Sequence, residues 1–201
     1  MAQSVNEQRA AQRLDPATRR AQLVAAAVEV FHGRDPDSVS VEDVAEAAGV
    51  SRSLLYAYFG DRGGLVAEVY LHSLQDLDRE LARALDEGLS DEAQLRRIVR
   101  RYLVFARDNE ATWTLINRAG RMAHPAIQRA RQARLDRIAE RWEDPASARF
   151  VAQAVLGLLD AGARYWIDHR DRGLERATST LVTLIWSGLS GLRGEGVLVS
   201  R

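Results

Sequence analysis

The sequence contains no cysteine, which excludes disulfide bonds and thiolate-bound metal sites. It also contains no lysine, since all 28 basic side chains among its 201 residues are arginine. Every charged contact with a phosphate would therefore come from arginine. No run of about 18 apolar residues is present, so no membrane span is expected, and the first residues lack the basic and then apolar pattern of a secretory signal. These absences predict a cytoplasmic protein without a membrane partner.

Charge is balanced along the chain. The 28 arginines are matched by 28 acidic residues, and acidic residues outnumber arginines over residues 1–65. Because proteins that bind nucleic acid usually carry clustered positive charge, any basic patch here must be local. Hydrophobic residues make up 46% of the sequence and charged residues 28%, as is usual for a globular protein with a buried core.

The hydrophobic periodicity of the chain is that of helices. No segment shows the alternation of a strand, and neither repeats nor low-complexity tracts occur. Proline, glycine and capping residues divide the chain into about nine helices, three N-terminal and about six C-terminal. We therefore predict an all-α protein with a flexible tail at 1–15, an N-terminal domain at 16–64 and a helical bundle at 65–201. The fourth helix is expected to run from Leu65 to about Leu85.

Two short helices separated by a tight turn are predicted between Ser40 and Tyr58. Ser40 and Ser51 are suited to cap them, and Gly49 lies between them, where a sharp turn favours a left-handed backbone conformation. Two helices joined in this way form a helix-turn-helix, whose second helix can enter the major groove of DNA. The pattern alone is a weak signal, because any two packed helices with a glycine turn share it.

The residues around this turn resemble the DNA-binding signature of the TetR family of bacterial transcriptional regulators. The resemblance extends over about residues 17–70, and beyond them only length and helical character agree. The motifs that carry it are Val44-Ala45, Ala48-Gly49-Val50-Ser51, Leu55-Tyr56, Tyr58-Phe59 and Arg62, with Arg19-Arg20 to Phe31 in the preceding helix.

The resemblance implies a homodimeric, ligand-responsive transcriptional regulator. Its three-helix N-terminal domain would bind double-stranded DNA at a palindromic operator, and its C-terminal bundle would bind a small-molecule effector. We predict a repressor that an inducer releases from the operator. The inducer would move the fourth helix and so change the spacing of the two recognition helices.

Seven residues are expected to contact DNA by this resemblance. Arg52 and Ser53 lie in the first turn of the second helix, where an arginine can pair bidentately with guanine. The tyrosine hydroxyls, Arg62 and the backbone amides at helix N-termini suit phosphate groups. The predicted DNA-binding residues are Ser40, Ser51, Arg52, Ser53, Tyr56, Tyr58 and Arg62.

Three places depart from the family pattern. Asp35 and Pro36 stand where a glycine and an aromatic residue are usual, so this loop should pack differently. Leu54 stands where a small hydroxyl residue is common. Gly63-Gly64 replaces a glutamate and a small residue, and two glycines should weaken the first turn of the fourth helix by roughly 1 kcal/mol each relative to alanine.

The C-terminal half carries all four tryptophans. By default they are core or interface residues, and the same applies to the other aromatic side chains. Some of them could also line an apolar cavity in which an asparagine or arginine orients a ligand. The predicted ligand-binding residues are Tyr102, Phe105, Trp113, Asn117, Arg118 and Trp166.

Small residues recur at turn spacing in the last two helices, beside leucine and isoleucine, a pattern that allows two helices to approach closely. In the family that the chain resembles, the last two helices of each subunit form a four-helix dimer interface. The alternative is that these residues pack only within one chain. The predicted interface residues are Gly157, Ala161, Leu181, Ile185, Gly188 and Leu192.

No catalytic or metal-binding constellation accompanies these motifs. His72, His124 and His169 are far apart in the sequence and match no metal-ligand spacing. Gly188-Leu189-Ser190-Gly191 has its second glycine one residue too early for a nucleophile elbow. No enzyme activity, metal or cofactor is therefore expected. The alternative function is a small-molecule binding protein with a vestigial DNA-binding domain, a hypothesis motivated by the near-neutral N-terminal domain and by Gly63-Gly64.

Overall fold

The computed structural model describes residues 15–32, 34–85, 88–140, 142–169 and 173–194. The regular structure within these ranges is helical, which confirms the predicted all-α class. The predicted tail, 1–15, lies outside the described residues except for Asp15. One 3-10 turn covers Pro36–Ser38. The α-helices of the described ranges are α1 (Pro16–Phe31), α2 (Val41–Ala47), α3 (Arg52–Phe59), α4 (Arg62–Ala82), α5 (Asp91–Asp108), α6 (Glu110–Ala119), α7 (Pro125–Ala139), α8 (Pro145–Asp168) and α9 (Leu174–Gly194).

The first compact unit ends at Val69, a few residues beyond the predicted domain boundary. Asp15 caps α1 by accepting hydrogen bonds from the amides of Ala17 and Thr18, both at 3.0 Å, and proline occupies the first helical position. α1 packs on α2, and α2 packs on α3. The buried side chains of this unit include Leu23, Val24, Ala27, Phe31, Val39, Val41, Val44, Ala45, Leu55 and Phe59.

The turn between α2 and α3 has the predicted capping residues. The Ser40 hydroxyl accepts a hydrogen bond from the Asp43 amide at 3.1 Å, and the Asp43 carboxylate accepts one from the Ser40 amide at 2.9 Å. Gly49 has a φ angle of 63°, in the left-handed region that strains other residues. Ser51 caps α3 by accepting from the amide of Leu54 at 3.3 Å. These local bonds set the direction in which α3 leaves the turn.

Helix α4 begins at Arg62 rather than at Leu65, so both glycines lie in its first turn. The Gly64 amide donates to the carboxylate of Asp61 at 2.7 Å. A Cβ atom added to Gly64 would lie 2.0 Å from the carbonyl oxygen of Phe59, the last residue of α3. The expectation that both glycines only weaken this helix is therefore corrected, because the close approach of α3 leaves no room for a side chain at Gly64.

The second compact unit begins at Tyr70 and contains α5 to α9 together with the C-terminal part of α4. α5 packs against α6, α8 and α9, while α8 packs against α7 and α9. A Cβ atom added to Gly162 on α8 would lie 2.7 Å from the side chain of Leu181 on α9, so these two helices approach closely there. None of the described helices is both long enough and apolar enough to cross a membrane.

Candidate DNA-binding surface and ligand cavity

The N-terminal end of α3 presents the side chains that were predicted to read DNA. Arg52 and Ser53 are exposed in its first turn, and Tyr56 is 41% exposed one turn later. Tyr58 is half-buried. The hydroxyl oxygens of Ser51 and Ser53 lie 2.9 Å apart, so Ser53 is tied to the helix cap. This end of α3 is therefore accessible to a partner.

Arg52 forms an ion pair with Glu42, which lies in the first turn of α2. A hydrogen bond with Tyr56 raises the pKa of Arg52, and the charge of Glu42 raises it further. Both charged side chains are about half exposed, so the pair contributes little to folding. It does mean that a base or phosphate must compete with Glu42 for the guanidinium. The pairing of Glu42 with Arg52 is not predicted by the sequence pattern, although the acidic residue lies close to the turn.

Arg62, which was predicted to bind a phosphate, also forms hydrogen bonds within the chain. Its Nε donates to the carbonyl oxygen of Val39 at 3.0 Å, and one of its terminal nitrogens donates to the carbonyl oxygen of Pro36. The start of α4 is thereby tied to the loop before α2, which is the loop where the sequence departs from the family pattern. Phosphate binding by Arg62 stays a prediction and depends on its remaining N–H groups.

Arg20 holds the C-terminal end of α3 in place. Its guanidinium donates to the carbonyl oxygen of Tyr58 at 2.8 Å and lies 5.1 Å from the ring centre of Phe59. It also binds the carboxylate of Glu68 on α4, with N–O distances of 2.7 and 3.4 Å. The hydrogen bond with Glu68 raises the pKa of Arg20. Arg20 thus connects α1, α3 and α4, a role that sequence analysis does not assign because its partners lie far along the chain.

A cavity of about 280 Å³ lies in the second unit, near the lower end of the size range for ligand sites. Leucine and isoleucine side chains line it together with Tyr70 and Tyr102. The rest of the lining is polar and carries both signs of charge. Its polar side chains, other than the tyrosines, are Asn117, Arg121, Arg131, Arg134, Gln153 and Asp160.

A chain of hydrogen bonds ends at one wall of this cavity. Nε1 of Trp113 donates to the hydroxyl oxygen of Tyr102 at 2.8 Å, and this hydroxyl donates to the carboxylate of Asp160. Burial raises the pKa of Asp160, while the hydrogen bond from Tyr102 and the charge of Arg134 oppose that rise. Burial also raises the pKa of Tyr102. Asp160 is therefore a partly buried carboxyl group whose position is held from behind by the core.

Two of the six predicted ligand-binding residues, Tyr102 and Asn117, line the cavity. The other four do not line this cavity, because three are buried in the core and one is exposed outside the lining. In that order they are Trp113, Phe105, Trp166 and Arg118. The sequence pattern predicted that aromatic residues line the ligand site, whereas arginines and a carboxylate form much of the cavity wall. Arg131 and Arg134 are three residues apart on α7, a spacing that places both on one helix face and was a usable signal.

An apolar groove of about 230 Å³ lies on the surface formed by α8 and α9. Phe150 is 77% exposed and Leu184 is 56% exposed beside it. The predicted interface residues Gly157, Ala161 and Gly188 are also exposed, and a Cβ atom added to either glycine would meet nothing within 4 Å. An exposed apolar surface of this kind is typical of a binding site for another protein.

The other three predicted interface residues are less accessible. Leu181 is 6% exposed and packs beside Gly162, which favours the alternative that it packs within the chain. Ile185 is 3% exposed but lines the groove. Leu192 lines the groove as well and packs against a small core cluster around Ala139.

The histidines considered in the sequence analysis lie apart in the structure. Nδ1 of His124 accepts a hydrogen bond from the amide of Ala126 at 3.3 Å and so caps α7. His169 stacks on Tyr165 at the end of α8, and His72 is half-exposed on α4. In the described part of the chain, no three histidine or acidic side chains are grouped as a metal site would require.

Two known protein-family models match this chain. The family model described as "Bacterial regulatory proteins, tetR family" matches residues 23–69, which contain the helix-turn-helix. A second model, described as "Tetracyclin repressor-like, C-terminal domain", matches residues 92–188. The chain belongs to the TetR family. It is accordingly a helix-turn-helix transcriptional regulator, as the residues of its turn predicted.

Individual transcriptional regulators are similar to this chain in sequence or in structure. The chain is 26% identical over 189 residues to the HTH-type transcriptional activator FasR of Mycolicibacterium smegmatis, covering 89% of this chain and 86% of that protein. A TetR-like regulator from Rhodococcus sp. RHA1 has a similar structure, with a TM-score of 0.65, 28% identity, and coverage of 89% of this chain and 100% of that one. FadR of Bacillus subtilis, solved with stearoyl-CoA, has a TM-score of 0.64 over 84% of this chain and 98% of that one; its 16% identity indicates a shared fold alone.

Proposed function

We propose that this TetR-family chain is a cytoplasmic, homodimeric repressor that a small-molecule inducer releases from a palindromic operator. The observation that carries the DNA-binding part is the arrangement of α3. Its exposed end presents Arg52, Ser53 and Tyr56, while Arg20 anchors its other end. A recognition helix must be held rigidly for its side chains to read base edges.

The DNA contacts would fall into two groups. Arg52 and Ser53 lie where base edges are read, and an arginine pairs well with guanine. The tyrosines and the amide groups at the capped N-termini of α2 and α3 would bind phosphates, with Ser40 and Ser51 as the caps. Arg62 would contribute chiefly by holding the loop before α2.

The dimer would form through the groove on α8 and α9. Exposed Phe150 and Leu184 supply apolar area, and exposed Gly157 and Gly188 let a second copy approach closely. A two-fold axis would place the same surface on both subunits and the two recognition helices roughly 34–36 Å apart. The operator would then be a near-palindrome.

The inducer would occupy the cavity lined by Tyr102, Asn117 and Asp160. Tyr70 and Leu77 of the lining belong to α4, the helix that begins at Arg62 in the first unit. A ligand that favours a different position of α4 would therefore act on the helix that carries Arg62 and Glu68. The coupling free energy between two such sites is typically about 1–3 kcal/mol.

Activation is the second candidate, because FasR, which aligns with most of this chain, is described as an activator. A repressor and an activator can bind DNA with the same surface, so the distinction lies in where the operator stands relative to the promoter. Transcription of a reporter with and without the protein separates the two. Three features disfavour the alternative of a vestigial DNA-binding domain. Helix α3 is capped, Arg20 anchors its C-terminal end, and Arg52 is exposed at its N-terminal end.

The proposal is tested by selecting bound sites from random duplex DNA with the wild-type chain, Arg52→Ala and Arg100→Ala. We expect a palindromic consensus for the wild type. Arg52→Ala should weaken binding to it by roughly five- to 150-fold, the range for one bidentate base contact. Arg100→Ala removes the same charge from a half-exposed ion pair on α5 and should bind normally. Absence of any enriched site at low salt would refute operator binding.

Glu42→Gln should strengthen DNA binding, because Arg52 would no longer have to leave a carboxylate and one negative charge would be removed from the surface. Since exposed ion pairs are weak, we expect an increase of no more than about fivefold. Glu29→Gln, which removes an exposed charge from α1, is the matched control and should change affinity less. Titration of the selected operator at several salt concentrations measures both effects. Weaker binding by Glu42→Gln would show that Glu42 itself contacts the operator.

A further inference from the structure

The charge of the cavity indicates what kind of ligand it accepts. Arg121, Arg131 and Arg134 line it, and among the described residues Asp160 is the one acidic residue of the lining. The lining therefore carries more positive than negative charge. A ligand that enters it loses contact with water, so the charges of ligand and lining must compensate each other. This excess favours an anion.

The three arginines are not equally available. Nη1 of Arg131 donates to the carbonyl oxygen of Gly120 at 2.9 Å, and Arg134, 16% exposed, pairs with Asp78 at 3.2 Å. Arg121 is exposed and follows α6 at the edge of the cavity. Arg121 is thus the side chain best able to turn its planar guanidinium toward a carboxylate, with Arg131 as the second cation.

We propose that the cavity binds a small monocarboxylate with a short apolar body, whose carboxylate pairs with Arg121 and Arg131 and whose body packs against Tyr70 and Leu77. This inference rests on the proposed effector role of the same cavity. A single negative charge fits because Arg134 is already paired with Asp78. A volume of about 280 Å³ suits an acid of the size of benzoate or hexanoate.

Asp160 makes the binding depend on pH. Its carboxylate faces Tyr102 on α5, Asn117 on α6, Arg121 after α6 and Arg134 on α7. The bound anion adds a like charge to this group and so favours its protonated form. Burial already raises the pKa of Asp160. A proton is therefore taken up with the ligand, and affinity rises as the pH falls toward the pKa of Asp160.

The facing groups also argue against a cationic ligand. Tyr102 donates a hydrogen bond to Asp160, and Asn117 helps to stabilise its charged form, which lowers the pKa of Asp160. A cation would have to displace these donors and would meet the positive charges of Arg121 and Arg134. An amine of the same size should therefore bind much more weakly than the acid.

Titration calorimetry of the whole 201-residue chain without DNA tests the assignment. The probes are benzoate and hexanoate, their neutral amides, and the cations benzylammonium and hexylammonium. We expect a carboxylate to bind at least about tenfold more tightly than its amide, as a charge-assisted contact would produce. The aromatic and aliphatic acids distinguish which apolar body the tyrosine-lined wall prefers. Tighter binding by an ammonium probe than by its acid would overturn the assignment.

Two variants separate the roles of the charged groups. Arg121→Gln should weaken carboxylate binding by about tenfold, while Arg129→Gln, an exposed arginine on α7 outside the lining, should not change it. Asp160→Asn keeps an oxygen that can accept from Tyr102 but removes the charge. It should strengthen carboxylate binding at about pH 8 by at least about threefold and remove the pH dependence.

The failure of this inference is distinguishable from failure of the proposed function, because the titration contains no DNA. Carboxylates that do not bind at tens of millimolar, or that bind equally to wild type and Arg121→Gln, overturn the anion site. A pH-independent affinity in the wild type overturns the role of Asp160. Operator selection can succeed in each of these cases, and its own failure leaves the titration results unchanged.

Discussion

Replacement of Leu184 by aspartate is expected to separate the proposed dimer into monomers and to remove specific operator binding. Leu184 lies in the groove on α8 and α9 and is 56% exposed in the single chain. A two-fold interface would bury both copies of the new carboxylate without a partner, which costs several kcal/mol. The dimer dissociation constant should rise by at least about a hundredfold. Sedimentation equilibrium measures it directly.

Leu85→Asp is the matched control, because Leu85 is 55% exposed and lies outside the groove. It introduces the same charge at an equally accessible apolar position. We expect it to leave the dimer and operator binding intact. Equal dissociation of both variants would mean that charge anywhere on the surface disrupts the assembly. An unchanged dimer in Leu184→Asp would show that the interface lies elsewhere.

Gly64→Ala is expected to destabilise the first unit and to disturb the position of α3. The added Cβ atom would lie 2.0 Å from the carbonyl oxygen of Phe59, a backbone atom that cannot rotate away as a side chain would. To relieve this contact, α4 would have to move away from α3. The hydrogen bond from Arg20 to the end of α3 and the one from Arg62 to the loop before α2 oppose this movement. We expect a loss of about 3 kcal/mol, at the upper end of the range for overpacking, and at least about a hundredfold weaker operator binding.

Thermal unfolding followed by circular dichroism, together with operator titration, measures these losses. Gly173→Ala, where an added Cβ meets nothing within 4 Å, is the control and should change neither quantity. If the contact with Phe59 were harmless, only helix propensity would remain, and Gly64→Ala would be slightly more stable than wild type because alanine is the better helix former. Stability equal to or above that of wild type would therefore contradict the prediction.

The DNA-binding surface was more predictable than the cavity, for a physical reason. The Ser40 capping box, the Gly49 turn and the Ser51 cap involve groups within a few residues of each other. Such bonds depend on the local sequence, so a motif of about twenty residues was enough to indicate the helix-turn-helix. The exposure of Arg52 and Tyr56 followed from the same periodicity.

The cavity brings together residues from five helices, and no local pattern encodes that meeting. Tyr102 and Asp160 are separated by more than fifty residues, as are Arg134 and Asp78. Aromatic content suggested tryptophans as the lining, but Trp113 is buried behind Tyr102. Tertiary packing determines which face of each helix lines the cavity, and that face cannot be inferred from amino-acid composition.

The glycines of the last two helices show the same division. The sequence pattern placed Gly157 and Gly188 at small-residue positions of a predicted interface and did not single out Gly162. In the structure Gly162 accommodates Leu181, whereas the other two are open to the surface. The sequence by itself determined the helical class, the caps and the recognition helix, because these depend on neighbours along the chain. Only tertiary structure decided the cavity wall, the surface groove and the anchoring by Arg20 and Arg62, because each depends on residues that folding brings together.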